Sequence, residues 1–459
     1  MSDLTIHHTE RSPAWLVEAR ALLALAAPLA LAQLAQMAVL TTDVVMLGRL
    51  SREALASAAI GNTVYYLAWL IGSGPAQAVS PVIAQIIGAR PRHRNGVRTS
   101  VRMGLWVTTL VSAPLMILML NAGPILRALG QEPALADGAG VFVAMLCFGL
   151  PFTLGFQVLR NFATALNRAA APMWVMGLSI IWNGVVGYAL IFGHFGAPKL
   201  GLMGSGLATS SSAVFAFVAL LVVVLVDPKL RAYRVFRRAS RPVRAKLSEL
   251  LRLGMPIGLT MIFEAMLFNA MTLVMGTFGA VPVAAHQIAL NFASVTFMVP
   301  LGIAMAATVR VGIATGRGDP DAARRAGFTA MGLSILFMSA SALGMILFGR
   351  QIAGLYVGGR AGDEAVITLA TQYLLVAAAF QVFDALQVVG ALSLRGLKDA
   401  RMPMVIAGVS YWLAGAPVCI LLGVVMGLQG LGVWIGLAFG LAVAASAMIW
   451  RFHWITRRG

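Results

Sequence analysis

The chain has 459 residues, 59% hydrophobic and only 11% charged, with a mean hydropathy of +0.86. No soluble fold can hide that much apolar surface, so the bilayer is its natural solvent. The net charge of +18 would suit nucleic acid, but the places where the basic residues fall exclude that partner and report membrane topology instead.

In chain order, a polar segment, 1–20, comes first. It is read as cytoplasmic and retained rather than as a cleaved signal, because the next apolar stretch is long enough to span and lacks a small-residue cleavage site. A spanning helix needs about 20 mostly apolar residues. Such runs follow at 21–48, 55–87, 101–122, 138–162, 172–193 and 204–226. A basic loop, 227–249, intervenes, with eight Lys or Arg from Lys229 to Lys246. Six more runs occupy 250–279, 283–314, 327–348, 366–394, 403–426 and 430–452, ahead of a short tail at 453–459. The expected fold class is therefore all-α integral membrane, with about 12 transmembrane helices. Cys147 and Cys419 fall inside spans as small apolar packers, with no disulfide or metal-ligand spacing.

With the amino terminus placed in the cytoplasm, 28 of the 34 Lys and Arg lie on that side. Only Arg49, Arg52, Arg127, Lys199, Arg350 and Arg360 lie on the other. This asymmetry sets an even number of spans and both termini in the cytoplasm. The basic loop reads as topology plus contact with anionic headgroups.

Sliding the chain against itself by 228 residues brings Leu22, Leu23, Leu25 and Pro28 onto Leu250, Leu251, Leu253 and Pro256. Without a gap, Gly48 meets Gly276, Ile60 meets Ile288, Gly88 meets Gly316, and Met103 to Leu105 meet Met331 to Leu333. An offset of 231 then sets Leu166 on Leu397 and Pro172 on Pro403. The expected organisation is an amino-terminal six-helix lobe at 21–226 and a carboxy-terminal one at 250–452. With an even number of spans in each half, the repeat is parallel, and a substrate site is expected at the interface or within a lobe near midplane. Pro28 and Pro256 each remove a helical hydrogen bond and are candidate bending points.

A carboxylate in hydrocarbon costs about 2.5–3.5 kcal/mol on insertion scales, so one inside a span is a functional-site hypothesis. Of 16 Asp and Glu, only Asp43, Glu264 and Asp384 fall inside spans. Counting the helical rise from Arg252 and Arg395 puts Glu264 and Asp384 at about 18 and about 16 Å depth, both near midplane. Asp43 lies toward the external end of the first span. No Lys or Arg is expected deep enough to pair with them. Each must then be protonated, ion-bound, hydrogen-bonded or facing a watery cavity, which suits a group that trades H⁺, Na⁺ and a cationic solute. In the repeat Glu264 superposes on Gln36 and Asp384 on Thr153, which concentrates charge chemistry in the second half. Gln33, Gln36, Asn62, Gln77, Asn183, His286, Gln287 and Asn291 are candidate cavity-lining residues. Phe263, Phe268, Phe292, Phe297, Phe380 and Phe383 would suit a flat amphipathic cation.

The segments Gly254-Met-Pro-Ile-Gly, Phe263-Glu264, Val283-Ala-Ala-His-Gln-Ile-Ala-Leu-Asn291, Thr308-Val-Arg-Val-Gly312, Asp384-Ala-Leu-Gln387 and Leu394-Arg-Gly-Leu-Lys-Asp399 carry a family resemblance. Across essentially the whole chain the sequence resembles the multidrug and toxic compound extrusion (MATE) transporters, specifically their NorM-like branch. The resemblance implies export of diverse, often cationic drugs by antiport with Na⁺ or H⁺ across the inner membrane. It implies no cofactor beyond the coupling ion, and a monomer is expected. It assigns Glu264 and Asp384 to a cation site in the carboxy-terminal lobe, with Na⁺ a candidate ligand, and Asp43 to the amino-terminal lobe. Another branch carries an Asp on the fifth span, where Asn183 is the nearest polar residue here.

Two rivals stay open at this point. A flippase for lipid-linked sugars should show cations within its spans, and a cation channel would also suit wet acidic cavities. An intramembrane enzyme would want a His or Cys cluster or HExxH spacing, and a primary pump a Walker A loop. Neither signature is present, since none of the four lysines (199, 229, 246, 398) follows a glycine.

Overall fold

The computed structural model describes residues 14–90, 94–236, 242–357 and 363–458. Met1 to Arg11, residues 237–241 of the basic loop, and Arg360 lie outside that part. Regular structure among the described residues is helical throughout. The membrane-length helices are α1 (Ala14–Leu50), α2 (Arg52–Ala89), α3 (Arg94–Leu120), the pair α4 (Pro133–Cys147) and α5 (Leu150–Ala165), α6 (Ala170–Phe192) and α7 (Leu202–Val226). The second half holds α8 (Arg244–Gly276), α9 (Ala280–Gly316), α10 (Pro320–Gly354), α11 (Asp363–Gly396), α12 (Arg401–Val425) and α13 (Gln429–Arg458). Most overrun the apolar runs read from the sequence, because a helix continues into the headgroup layer once its hydrocarbon stretch ends.

Two spans depart from the expected single helix. The run 138–162 is a bent pair, α4 and α5 meeting at 44°. Pro151 sits in the first turn of α5 and has no N–H to give the preceding turn, so the helix restarts there. The run 403–426 is one span, but π-helical turns occupy Val409–Gly415 and Leu421–Val425, on either side of Pro417. Pro28 and Pro256, in contrast, stay inside continuous helices.

The helices form two lobes, α1–α7 and α8–α13. The second has one large core, with Phe380, Tyr411, Trp434 and Phe452 at its centre. The first has two main cores, one around Val79, Val107 and Phe162, the other around Leu47, Phe142 and Leu150. Between the lobes, α1 packs on α9, and α2 on α8 and α9. The closest approaches are made by backbone on backbone. A Cβ on Gly74 would overlap the Gly254 carbonyl, and one on Gly88 the Ile313 carbonyl and Gly316 Cα.

These contacts all fall at the end of the molecule that carries the start of α1 and of α8. Gln85 Nε2 donates to the Gly396 carbonyl there at 2.9 Å, and Glu18 of α1 pairs with Arg310 of α9. In the loop itself, Asp227 caps the short helix Pro228–Arg231 and pairs with Arg168 at 3.2 Å.

Candidate functional site

Six helices present polar residues at helical spacing to one central cavity. On α9 the face is Gln287, Asn291, Ser294, Met298, Leu301, Met305 and Thr308, steps of three or four residues that keep one stripe of a helix together. On α11 it is Phe380, Asp384, Gln387, Ala391 and Arg395; on α8 it is Thr260, Glu264 and Phe268. The first lobe adds Gln33 and Gln36 from α1, Tyr66, Trp69, Gln77 and Ser80 from α2, and Gln157, Arg160, Asn161 and Thr164 from α5. The cavity encloses about 590 Å³, the size of a drug-binding site.

Its mouth lies away from the lobe contacts. Gln287, Asn291, Asn269 and Tyr66 are exposed, whereas Gln157, Arg160, Thr308 and Arg395 at the other end are buried. The floor is closed by hydrogen bonds. Arg395 Nη1 donates to Gln77 Oε1 at 3.0 Å across the lobes, and Gln77 Nε2 reaches Met261 Sδ at 3.0 Å. Thr308 ties α9 to the Leu392 carbonyl of α11 at 2.8 Å.

Glu264 and Asp384 meet on this wall from α8 and α11, within Coulombic reach of one another. Glu264 is half-buried, Asp384 only 8% exposed, and Asp384 Oδ1 has no hydrogen-bond partner among the described residues. The expectation that no basic residue lies near them is corrected. Arg395 faces Glu264 within Coulombic reach, and Arg160 lines the same cavity from the first lobe. Arg395 lies just past the apolar run 366–394 and Arg160 two residues before the end of the run 138–162, and sequence position does not reveal that either is tucked under the opposite lobe.

The other anticipated residues divide. Gln33, Gln36, Gln77, Gln287 and Asn291 line the cavity; His286, Asn183 and Asn62 are not among its lining residues. His286 is fully buried in the second lobe, edge-on to Trp434 at 5.5 Å and 3.3 Å from Thr272 Oγ1. One residue along a helix turns a side chain by about 100°, so Gln287 faces the cavity and its neighbour the core. Of the aromatics, Phe268, Phe297 and Phe380 are on the wall, while Phe263, Phe292 and Phe383 pack against the lobe core instead. Asp43 is off the cavity, 4% exposed among first-lobe helices, where Thr209 Oγ1 of α7 donates to its Oδ2 at 2.7 Å and Asn183 of α6 faces it. Tyr66, Trp69, Gln157 and Arg160 were missed. The spacing Gln157, Arg160, Thr164 at the end of the fourth span is the signal that could have found three wall residues of α5.

Among the described residues no three His, Cys, Asp or Glu side chains gather into a metal-ligating group. What the cavity offers is two carboxylates and two guanidiniums in an aromatic, amide-rich wall, accessible from one end.

Two six-span lobes closing on a shared cavity define a secondary membrane transporter. The model of the family MatE matches the chain twice, over residues 28–189 and 256–421, with starts 228 residues apart, the offset of the internal repeat. The chain belongs to the MatE family. It is 42% identical to the "Probable multidrug resistance protein NorM" of Mesorhizobium japonicum, over 96% of this chain and 95% of that one. It is 41% identical to the protein of the same name in Bradyrhizobium diazoefficiens, over 95% and 93%. Among solved structures it resembles the eukaryotic MATE transporter AtDTX14, with a TM-score of 0.83 at 23% identity over 97% and 98% of the two chains. A multidrug resistance MATE family transporter in an outward-facing conformation gives 0.87 at 20% identity over 96% of each.

Proposed function

We propose that this protein is a secondary exporter of structurally diverse organic compounds, often cationic, driven by antiport of Na⁺ or H⁺ across the bacterial inner membrane. The observation that carries the reading is the carboxylate pair Glu264 and Asp384 on an aromatic-walled cavity of about 590 Å³. A proton, a sodium ion or an organic cation can each neutralise those oxygens, and sites that hold one at a time couple their movements. Na⁺ would draw on the two carboxylates with neighbouring amide and hydroxyl oxygens. The names of the NorM relatives, multidrug resistance proteins at about 40% identity, support the same reading.

Both termini are assigned to the cytoplasm by the distribution of Lys and Arg. With that orientation the lobes close on the cytoplasmic side, and the cavity is open to the outside. The cavity also carries Arg160 and Arg395, the kind of cation a flippase for lipid-linked sugars would need, but Arg395 faces Glu264 and the names of the NorM relatives favour the multidrug reading.

The test is transport of a fluorescent organic cation in proteoliposomes under imposed Na⁺ or H⁺ gradients. Uphill movement with one gradient and none without it is expected. Equal downhill flux under every condition would point to a channel and overturn the antiport reading.

A further inference from the structure

Arg160 of α5 is 5% exposed and lines the cavity, yet no carboxylate faces it among the described residues. Its single hydrogen bond goes to a neutral oxygen, Gln33 Oε1, at 2.8 Å, and its Nε has no partner. Thr164 Oγ1, one turn further along α5 on the cavity wall, is likewise buried without a partner and is free to donate, whereas Gln157 Oε1, one turn back, is an acceptor that an anion cannot use. Arg395 differs, because it has Gln77 as a bonded partner and Glu264 within Coulombic reach.

A guanidinium removed from water without a counter-charge is costly and is retained where something supplies that charge. Behind Arg160 a side pocket of about 70 Å³ opens into the first lobe, walled by Gln36, Thr153, Phe156 and Met176. That space accepts a carboxylate-sized group, and the planar fork of Arg favours two-pronged binding to one.

We infer that Arg160 anchors an anion subsite that takes the carboxylate of zwitterionic substrates while their cationic end meets Glu264 and Asp384. The inference rests on the multidrug reading of the cavity and narrows its substrate class. The two lobes thus divide the charges of one ligand: the acids lie in the second lobe and the uncompensated cation in the first. Such a ligand bridges both lobes, whereas a simple cation is held mainly by the second.

The experiment compares two dyes that differ in one ester, rhodamine 110, a free acid, and rhodamine 123, its methyl ester. Equilibrium binding of each to purified full-length protein is measured by fluorescence for the wild type, Arg160→Gln and Arg160→Lys. Loss of a charged hydrogen-bond donor should lower the acid-to-ester affinity ratio by about tenfold in Arg160→Gln and by less in Arg160→Lys. A ratio unchanged in Arg160→Gln overturns the subsite. An ester that does not bind the wild type overturns the multidrug reading and the subsite with it, so the two failures are distinct. The wild type supplies a second arm that no variant has to fold for. Sodium benzoate, a plain aromatic carboxylate, should displace rhodamine 110 more effectively than rhodamine 123, and equal displacement overturns the proposal.

Discussion

At the scale of single residues, the chemistry is set by which charges share the cavity. Neutralising either acid keeps the side chain's shape, and Arg395, the cation facing Glu264, retains its hydrogen bond to Gln77, so Glu264→Gln and Asp384→Asn should insert and purify normally. Each should lower uptake of an organic cation into proteoliposomes by about tenfold or more, the loss expected when one charge of a buried ion contact is deleted. The pH dependence has a defined sign. An organic cation prefers the ionised carboxylates and protons compete for the same oxygens, so binding tightens as pH rises until both acids are ionised. Arg395 faces Glu264 as a permanent opposing charge and Tyr411 lies within Coulombic reach of both acids. Binding of a fluorescent cation between pH 5 and 9 should steepen with pH in the wild type and flatten in Glu264→Gln. Affinity independent of pH in the wild type would remove the shared carboxylate site.

At the scale of helices, the floor of the cavity depends on backbone contact between α2 and its partners α8 and α9. Gly88 and Gly316 permit it because neither has a Cβ. A valine at Gly88 must push α9 away, an overpacking cost of about 1–3 kcal/mol. Gly88→Val should therefore open the floor, and a cysteine introduced at Ser80 should become reactive from the side of the termini. Unchanged reactivity would mean that the α2–α9 contact does not set the floor. The bend between α4 and α5 matters to the site as well, because it sets the direction of the α5 face that carries Gln157, Arg160 and Thr164.

At the scale of the whole molecule, the two lobes behave as bodies joined at one end, and the pair Glu18–Arg310 bridges them there. The pair is partly exposed, 12% for Glu18 and 31% for Arg310, so it is worth about 1 kcal/mol or less, enough to shift a two-state balance by up to about fivefold. Glu18→Arg and Arg310→Glu should each raise the population with the floor open, and the double exchange should restore the balance. Double-cysteine distance measurements across the mouth would report it; a double exchange no better than either single change would show that the pair does not bridge the lobes in the working cycle.

The sequence by itself determined the solvent, the spans, the repeat and the acid pair. Each of these is written in composition or in local spacing: apolar runs of membrane length, prolines and glycines recurring 228 residues apart, and two carboxylates where hydrocarbon makes them costly. Only the tertiary structure decided which faces meet. A side chain's neighbours depend on helix rotation and on the approach of the other lobe, so His286 and Gln287, adjacent in sequence, part into core and cavity. Phe263, Phe292 and Phe383, all half-buried, are turned off the cavity for the same reason, Asp43 was left among the first-lobe helices, and Arg160 and Arg395 entered the cavity from near helix ends. The closed floor was also illegible, because it rests on Gly74 and Gly88 touching backbone from the other half of the chain, a long-range contact that no local pattern encodes.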